Sequence, residues 1–349
     1  MTSGDVVRYR GAIWMLLILA PVIAEVVSGS TRLSFLFVLA PEILVWGIGA
    51  LFCRELAKRW YAGWPSLVLL GGALAVAEEF LIQQTSIAPL PFPGVNAAFG
   101  RWGGVNWVYF LFMLVFESLW VVVIPVRLTE MVFPRFADAP WLRVRGAIVC
   151  AVGFLIGCRV AWFGWTQVAR PRLGATAYHP PMGLLAAGVA AIVLLIGLAW
   201  VLRGVGQHKA ERRIVPAWFA GVWAAVAGAA GFYLLGMIFQ TRPALSDVQT
   251  LLCEIGLAVV SLVFFVWWVG AEKWTAMYAW AACLGAVIGE AAITSVSVAG
   301  YSAADFVFKC VVDVLAVVGM VWVRQGIKEY HPSEHKPLVG DPGREYMGE

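Results

Sequence analysis

Seven acidic side chains stand inside the long apolar runs of this chain: Glu42, Glu78, Glu79, Glu117, Glu254, Glu290 and Asp313. Glu25 joins them near the end of the first run, and two cations, Arg159 and Lys309, share the setting. Ionisable groups in a membrane interior are costly, and they mark proton relays, ion paths and substrate sites. The chemistry expected of these residues is proton or ion exchange on carboxylates. Arg159 and Lys309 would then act as counter-cations that hold an anionic substrate group or compete with the proton. Asp305, Lys309 and Asp313 recur at i, i+4 and i+8, a spacing that predicts one internally paired stripe on a helix. The competing expectation is that such pairs only hold helices together.

The elements that would position these groups are transmembrane helices. The chain is 61% hydrophobic and only 13% charged, about half the charge of an ordinary soluble domain, which carries roughly 25%. Ten apolar runs approach the ~20 residues a bilayer requires, at about 11–28, 35–53, 65–84, 105–126, 146–165, 181–202, 216–240, 250–270, 276–296 and 300–323. The expected fold is an all-α, polytopic transmembrane helix bundle of about ten spans, forming one domain over residues 1–327. If the first end is cytoplasmic, eighteen of the 25 Lys and Arg residues fall on the inner side and five in outer loops. The positive-inside rule therefore places both termini in the cytoplasm, and the expected location is a bacterial cytoplasmic (inner) membrane. Arg8 and Arg10 flank the first run as in a signal sequence, but Glu25 and the lack of a small-residue cleavage site predict a retained helix. Residues 328–349, polar and carrying Pro332, Pro337 and Pro342, are expected to form a disordered cytoplasmic tail.

The loops carry weaker signals. Arg54, Lys58 and Arg59 with Trp60 and Trp64 are expected to anchor an inner turn at the headgroups. The outer stretch after Gln84, with Pro89, Pro91 and Pro93, predicts neither helix nor strand and reads equally as a lid, a re-entrant cover or a connector. The most basic inner loop, Arg203 to Arg213, is expected to set topology rather than bind lipid. Net charge is only +4 and the basic residues are dispersed, so the expected partners are the bilayer and a small molecule or ion, not nucleic acid. No feature sets an oligomeric state. The six cysteines lie in or beside apolar runs without metal-ligand spacing, so buried free thiols, no metal and no cofactor are expected.

A weak internal echo runs through the chain. Glu42 and Glu78 are separated by the same interval as Glu254 and Glu290, and Leu33-Ser34 stands before Glu42 as Leu245-Ser246 stands before Glu254. This predicts a parallel repeat of helices 1–4 (residues 11–126) in helices 7–10 (216–323), with 146–202 as linker helices. Helix direction places Glu25, Glu42, Glu78, Glu254 and Glu290 in the outer half of the bundle and Glu117 and Asp313 near its middle. Gly71 and Ala75 share a face with Glu78, and Gly285 and Gly289 stand in GxxxG spacing before Glu290. Small residues let helices approach closely, so these glutamates are expected between helices.

Two short stretches resemble known families. Ala77-Glu78-Glu79-Phe80-Leu81-Ile82-Gln83 resembles the EExxxR motif of CAAX-prenyl-protease-like membrane proteins, with Gln83 where that family has arginine. That resemblance implies a glutamate-dependent intramembrane enzyme, whose family also uses histidines in later helices; His179, His208, His331 and His335 lie in expected loops or the tail. Ala304-Asp305-Phe306-Val307-Phe308-Lys309 resembles the last helix of microbial rhodopsins, and implies retinal binding through Lys309. The residues themselves favour a secondary-transporter-like or permease-like protein with a proton-exchanging carboxylate cluster. The enzyme, a non-catalytic membrane scaffold and the retinal protein are the alternatives, in that order.

Overall fold

A computed structural model describes residues 3–91, 95–176, 178–297 and 301–329. Ten helices in it are long and apolar enough to cross a membrane: α1 (Tyr9–Val27), α2 (Leu33–Arg59), α3 (Trp64–Ile82), α4 (Trp107–Val132), α5 (Val144–Arg172), α6 (Met182–Val201), α7 (Ala217–Phe239), α8 (Asp247–Val269), α9 (Ala276–Thr294) and α10 (Ala303–Glu329). The protein is an all-α, multi-pass membrane bundle. Several helices outrun their apolar cores: α2 continues through Arg54 and Glu55, and α4 through Arg127 and Glu130. Arg54, expected in a headgroup loop, is instead helical and fully buried. The charges extend the helices because they are paired with one another.

The loops alternate between two faces, as ten crossings require. On one face Gly63 N donates to the Arg203 carbonyl, and Ala210 N to the Gly270 carbonyl, joining the α2–α3, α6–α7 and α8–α9 turns. On the other, Tyr301 donates to the Gly29 carbonyl, Arg170 to that of Pro89, and Gly100 N to Asp247, joining the remaining loops. The stretch expected to lack strand forms a small hairpin, β1 (Arg101–Trp102) paired antiparallel with β2 (Val105–Asn106). Its turn residues, Gly103 and Gly104, have φ of +59° and +85°, the pairing a two-residue hairpin turn favours and glycine permits.

α3 is the most enclosed helix and α5 the least: 72% of the apolar window of α3 is buried against 6% for α5. The main core gathers Leu16, Leu51, Trp120 and Val121 from α1, α2 and α4. α7 and α9 pack along much of their length. A Cβ at Gly285 would strike the Gly221 backbone, and one at Gly289 that of Ala225, so the expected GxxxG face is the crossing. α1 packs on α2 and α4, and has no counterpart of the α7–α9 seam with α3. α2 contacts α3, whereas α8 packs on α4 and α7 rather than on α9. The helix pairings of the two supposed halves therefore do not repeat.

The cysteines are free, as expected, but only Cys53 and Cys283 are buried; Cys253 and Cys310 face outward. Of the stretch expected to be a disordered tail, Lys328 and Glu329 complete α10, and residues 330–349, like Pro93, lie outside the described residues.

Candidate functional site

The glutamates meet because five helices bring them to one level, four of them with a distorted turn there. π-Helical turns run over Val22–Val27 around Glu25, over Ile43–Gly47 directly after Glu42, over Glu78–Ile82 from Glu78 and Glu79 onward, and over Glu117–Val123 from Glu117 onward. Such turns are rare and concentrate at functional sites. Proline explains several of them, since it lacks an N–H and displaces the carbonyl one turn earlier. Pro21 adjoins the first, Pro41 precedes the second and Pro125 follows the fourth.

Glu42, Glu78, Glu79, Glu117 and Glu290 are buried, and Glu25 is partly exposed. Glu25 lies within electrostatic reach of Glu42, Glu78 and Glu79, and Glu117 within reach of Glu78 and Glu79. Two members have dedicated donors. The Thr31 hydroxyl donates to Oε1 of Glu42 at 2.5 Å, and Thr85 and Ser86 donate to Oε2 of Glu79 at 2.7 and 2.6 Å. Gln83 lies beside Glu78 and the Trp120 indole beside Glu290, but no donor is seated in hydrogen-bond geometry on either carboxyl or on Glu117. The neighbour of Glu117 is the Glu79 carboxyl. Two ionised carboxylates are both acceptors, so this contact is a hydrogen bond only when a proton lies between them. Unpaired buried charge is expensive, and carboxyls in such a setting can hold a proton or a cation.

Of the two expected counter-cations, one joins the layer. Lys309 is buried, its Nζ 2.6 and 2.7 Å from the two oxygens of Asp313 and 3.3 Å from the Ser295 hydroxyl. It also lies within reach of Glu290. Arg159 does not take part: it is exposed on the outer surface of α5, stacked over Trp162 at 4.5 Å. The stripe on α10 is split as well. Asp305 accepts from the amide and hydroxyl of Ser34 at 3.0 and 3.2 Å and from the Ser302 hydroxyl at 2.8 Å. Ser302 answers by accepting from Asp305 N, so Asp305 closes a capping box at the start of α10 rather than pairing with Lys309. Glu254 is buried on α8 without a hydrogen-bond donor, away from Glu290, whose electrostatic neighbours are Lys309, Glu25 and Asp313.

Sequence reading misplaced a second polar cluster, on the opposite face. Arg54 donates to the carbonyls of Phe136, Ala137 and Ala139 at 3.2, 2.8 and 3.1 Å, meets Glu130 at 3.2 Å, and stacks on Trp141 at 3.3 Å. Glu55 accepts from the backbone amides of Trp141 and Leu142, and Lys58 reaches Glu130 at 2.9 Å. This clasp fastens the α4–α5 loop over the ends of α2 and α4. The cavity beside it holds about 20 Å³, room for one water, whereas a cavity of about 330 Å³ opens on the other face beside Arg170. The signal that could have found the clasp is the acid–base alternation Arg54-Glu55 and Arg127…Glu130 at helix ends.

Among the described residues no three His, Cys, Asp or Glu side chains are grouped to hold a metal ion. His179 and His208 are exposed on loops, and His331 and His335 lie outside the described residues. Comparison with protein-family models, curated proteins and solved structures returns no match.

Proposed function

We propose that the protein is a secondary carrier of a bacterial inner membrane that couples movement of a small molecule or ion to protons taken up by the glutamate layer. The observation that carries this reading is the convergence of Glu25, Glu42, Glu78, Glu79, Glu117 and Glu290 from five helices, four of them with π turns at that level. Glu79 and Glu117 exchange the proton, Glu25 is its partly exposed point of entry, and the Lys309–Asp313 pair balances charge beside Glu290. A fastened loop on one face and a cavity of about 330 Å³ on the other suit alternating access. The positive-inside balance makes the clasp face cytoplasmic and places both termini there. A purely structural bundle would need no buried carboxyls such as Glu78, Glu117 and Glu290, on which no donor is seated in hydrogen-bond geometry.

The test is reconstitution into liposomes loaded with a pH-sensitive dye, challenged with a panel of small anions, cations and neutral metabolites under an imposed pH gradient. A compound that accelerates proton movement with wild-type protein and not with Glu79→Gln or Glu117→Gln supports the carrier. If no compound does so, and the variants only lose thermal stability, the layer is structural and the proposal fails.

A further inference from the structure

The cavity of about 330 Å³ on the open face is lined by Pro89, Pro91, Arg170, Leu173, Thr176 and Tyr178 among others. Its size falls in the range of small-ligand sites. Arg170 is 4% exposed, yet among the described residues its side chain makes one hydrogen bond, from Nη1 to the Pro89 carbonyl at 2.8 Å. Among the described residues neither Arg170 nor its electrostatic neighbour Arg101 has an acidic partner at salt-bridge distance. Asp247, whose carboxylate reaches this loop, is taken up by the amides of Gly100 and Val248. A buried guanidinium without a counter-charge is costly, and its planar fork matches a carboxylate or phosphate.

The cavity is also wired to the glutamates. Residues 84–88 and Leu90 are buried. This strap gives Thr85 and Ser86 to Glu79, the Ile87 carbonyl to Arg101 and the Pro89 carbonyl to Arg170. Asn106 N holds it through the Ser86 carbonyl at 2.8 Å. A ligand on Arg170 therefore sits a few residues of buried chain from Glu79.

We infer that this cavity is an anion site, in which Arg170, supported by the field of Arg101 and with the Tyr178 side chain in its lining, takes the carboxylate or phosphate group of a small molecule or of a lipid. As the outer station of the carrier this rests on the function proposed above; as a binding site it stands independently. The test uses full-length protein in nanodiscs of zwitterionic lipid, titrated with inorganic phosphate and with acetate at ionic strength held constant by chloride, read by thermal shift. Stabilisation by either anion, weakened about tenfold or more in apparent affinity by Arg170→Gln, less by Arg170→Lys and not by Arg172→Gln, supports a soluble-anion site. Stabilisation that appears only when phosphatidylglycerol is added, with the same dependence on Arg170, supports the site and assigns it to a headgroup. Equal responses in wild type, Arg170→Gln and Arg172→Gln, or none in either lipid, overturn it. Glu79→Gln separates the two proposals: it should abolish proton coupling and keep anion binding, so failure of either reading is seen alone.

Discussion

The Ser86 hydroxyl donates to Oε2 of Glu79 at 2.6 Å, and through that bond the strap after α3 is fastened to the carboxylate layer. Glu79 in turn faces Glu117 on α4. The strap, α3 and α4 thus share one polar junction. Because two acceptors cannot bond without a proton, a direct hydrogen bond between these two carboxyls requires one, and the proposed carrier would use its gain and loss.

The α7–α9 seam is predicted to tolerate no side chain. Gly285→Val places carbon against the Gly221 backbone, which cannot yield as a flexible side chain would. A loss of about 1–3 kcal/mol is expected from overpacking, read as lowered thermal stability in detergent. Gly319→Val, where nothing lies within 4 Å of the added carbon, should change little.

Removing one member of the clasp should cost more than removing an exposed charge. Arg54→Ala takes one of three cations from buried Glu130, leaving Lys58 and Arg127, and strips the carbonyls of Phe136, Ala137 and Ala139 of their shared donor; a broken buried pair costs up to roughly 3–5 kcal/mol. Limited proteolysis should then cut between Phe133 and Leu142, which resist in the wild type. Arg172→Ala, on an exposed side chain, should stay within about 0.5 kcal/mol.

Lys309 and Asp313 should behave as one unit. Lys309→Met strands Asp313, and Asp313→Asn strands a lysine buried to 2%, so the double variant should be more stable than the sum of the singles implies. A coupling on the order of 1 kcal/mol is expected from intramembrane pairs, measured by a double-mutant thermal-stability cycle. Asp305→Ala should act independently, lowering thermal stability through the lost half of the Ser302–Asp305 capping box.

The helices were legible because a bilayer demands length and apolarity, and both are written in composition. A fixed rise per residue turns position in a span into depth and put Glu42 and Glu78 at one level, whereas Glu117, expected nearer the middle, lies within reach of Glu78 and Glu79. Facing was not legible. Arg159 has the depth expected of a counter-cation, but α5 turns it outward. Asp305 has the spacing of a partner for Lys309, but the stronger local demand of an uncapped helix start claimed it. Arg54 read as a headgroup anchor because the acid–base alternation at the ends of α2 and α4, though written in the sequence, does not say that the two ends meet. The π turns also left no periodic signature beyond their neighbouring prolines. The echo at Glu254 misled for the same reason: spacing along the chain carried no information about which helices pair.

The most direct test of the carboxylate layer is infrared difference spectroscopy of the purified protein in lipid across a pH step, following the protonated carboxyl band. The account predicts a pH-dependent band that Glu79→Gln and Glu117→Gln each displace or diminish by more than one residue's share, because the two groups hold one proton between them. Glu254→Gln should remove an isolated component and leave the rest unmoved. A carboxyl band that does not respond to pH, or one that Glu79→Gln and Glu117→Gln leave unchanged, would contradict it.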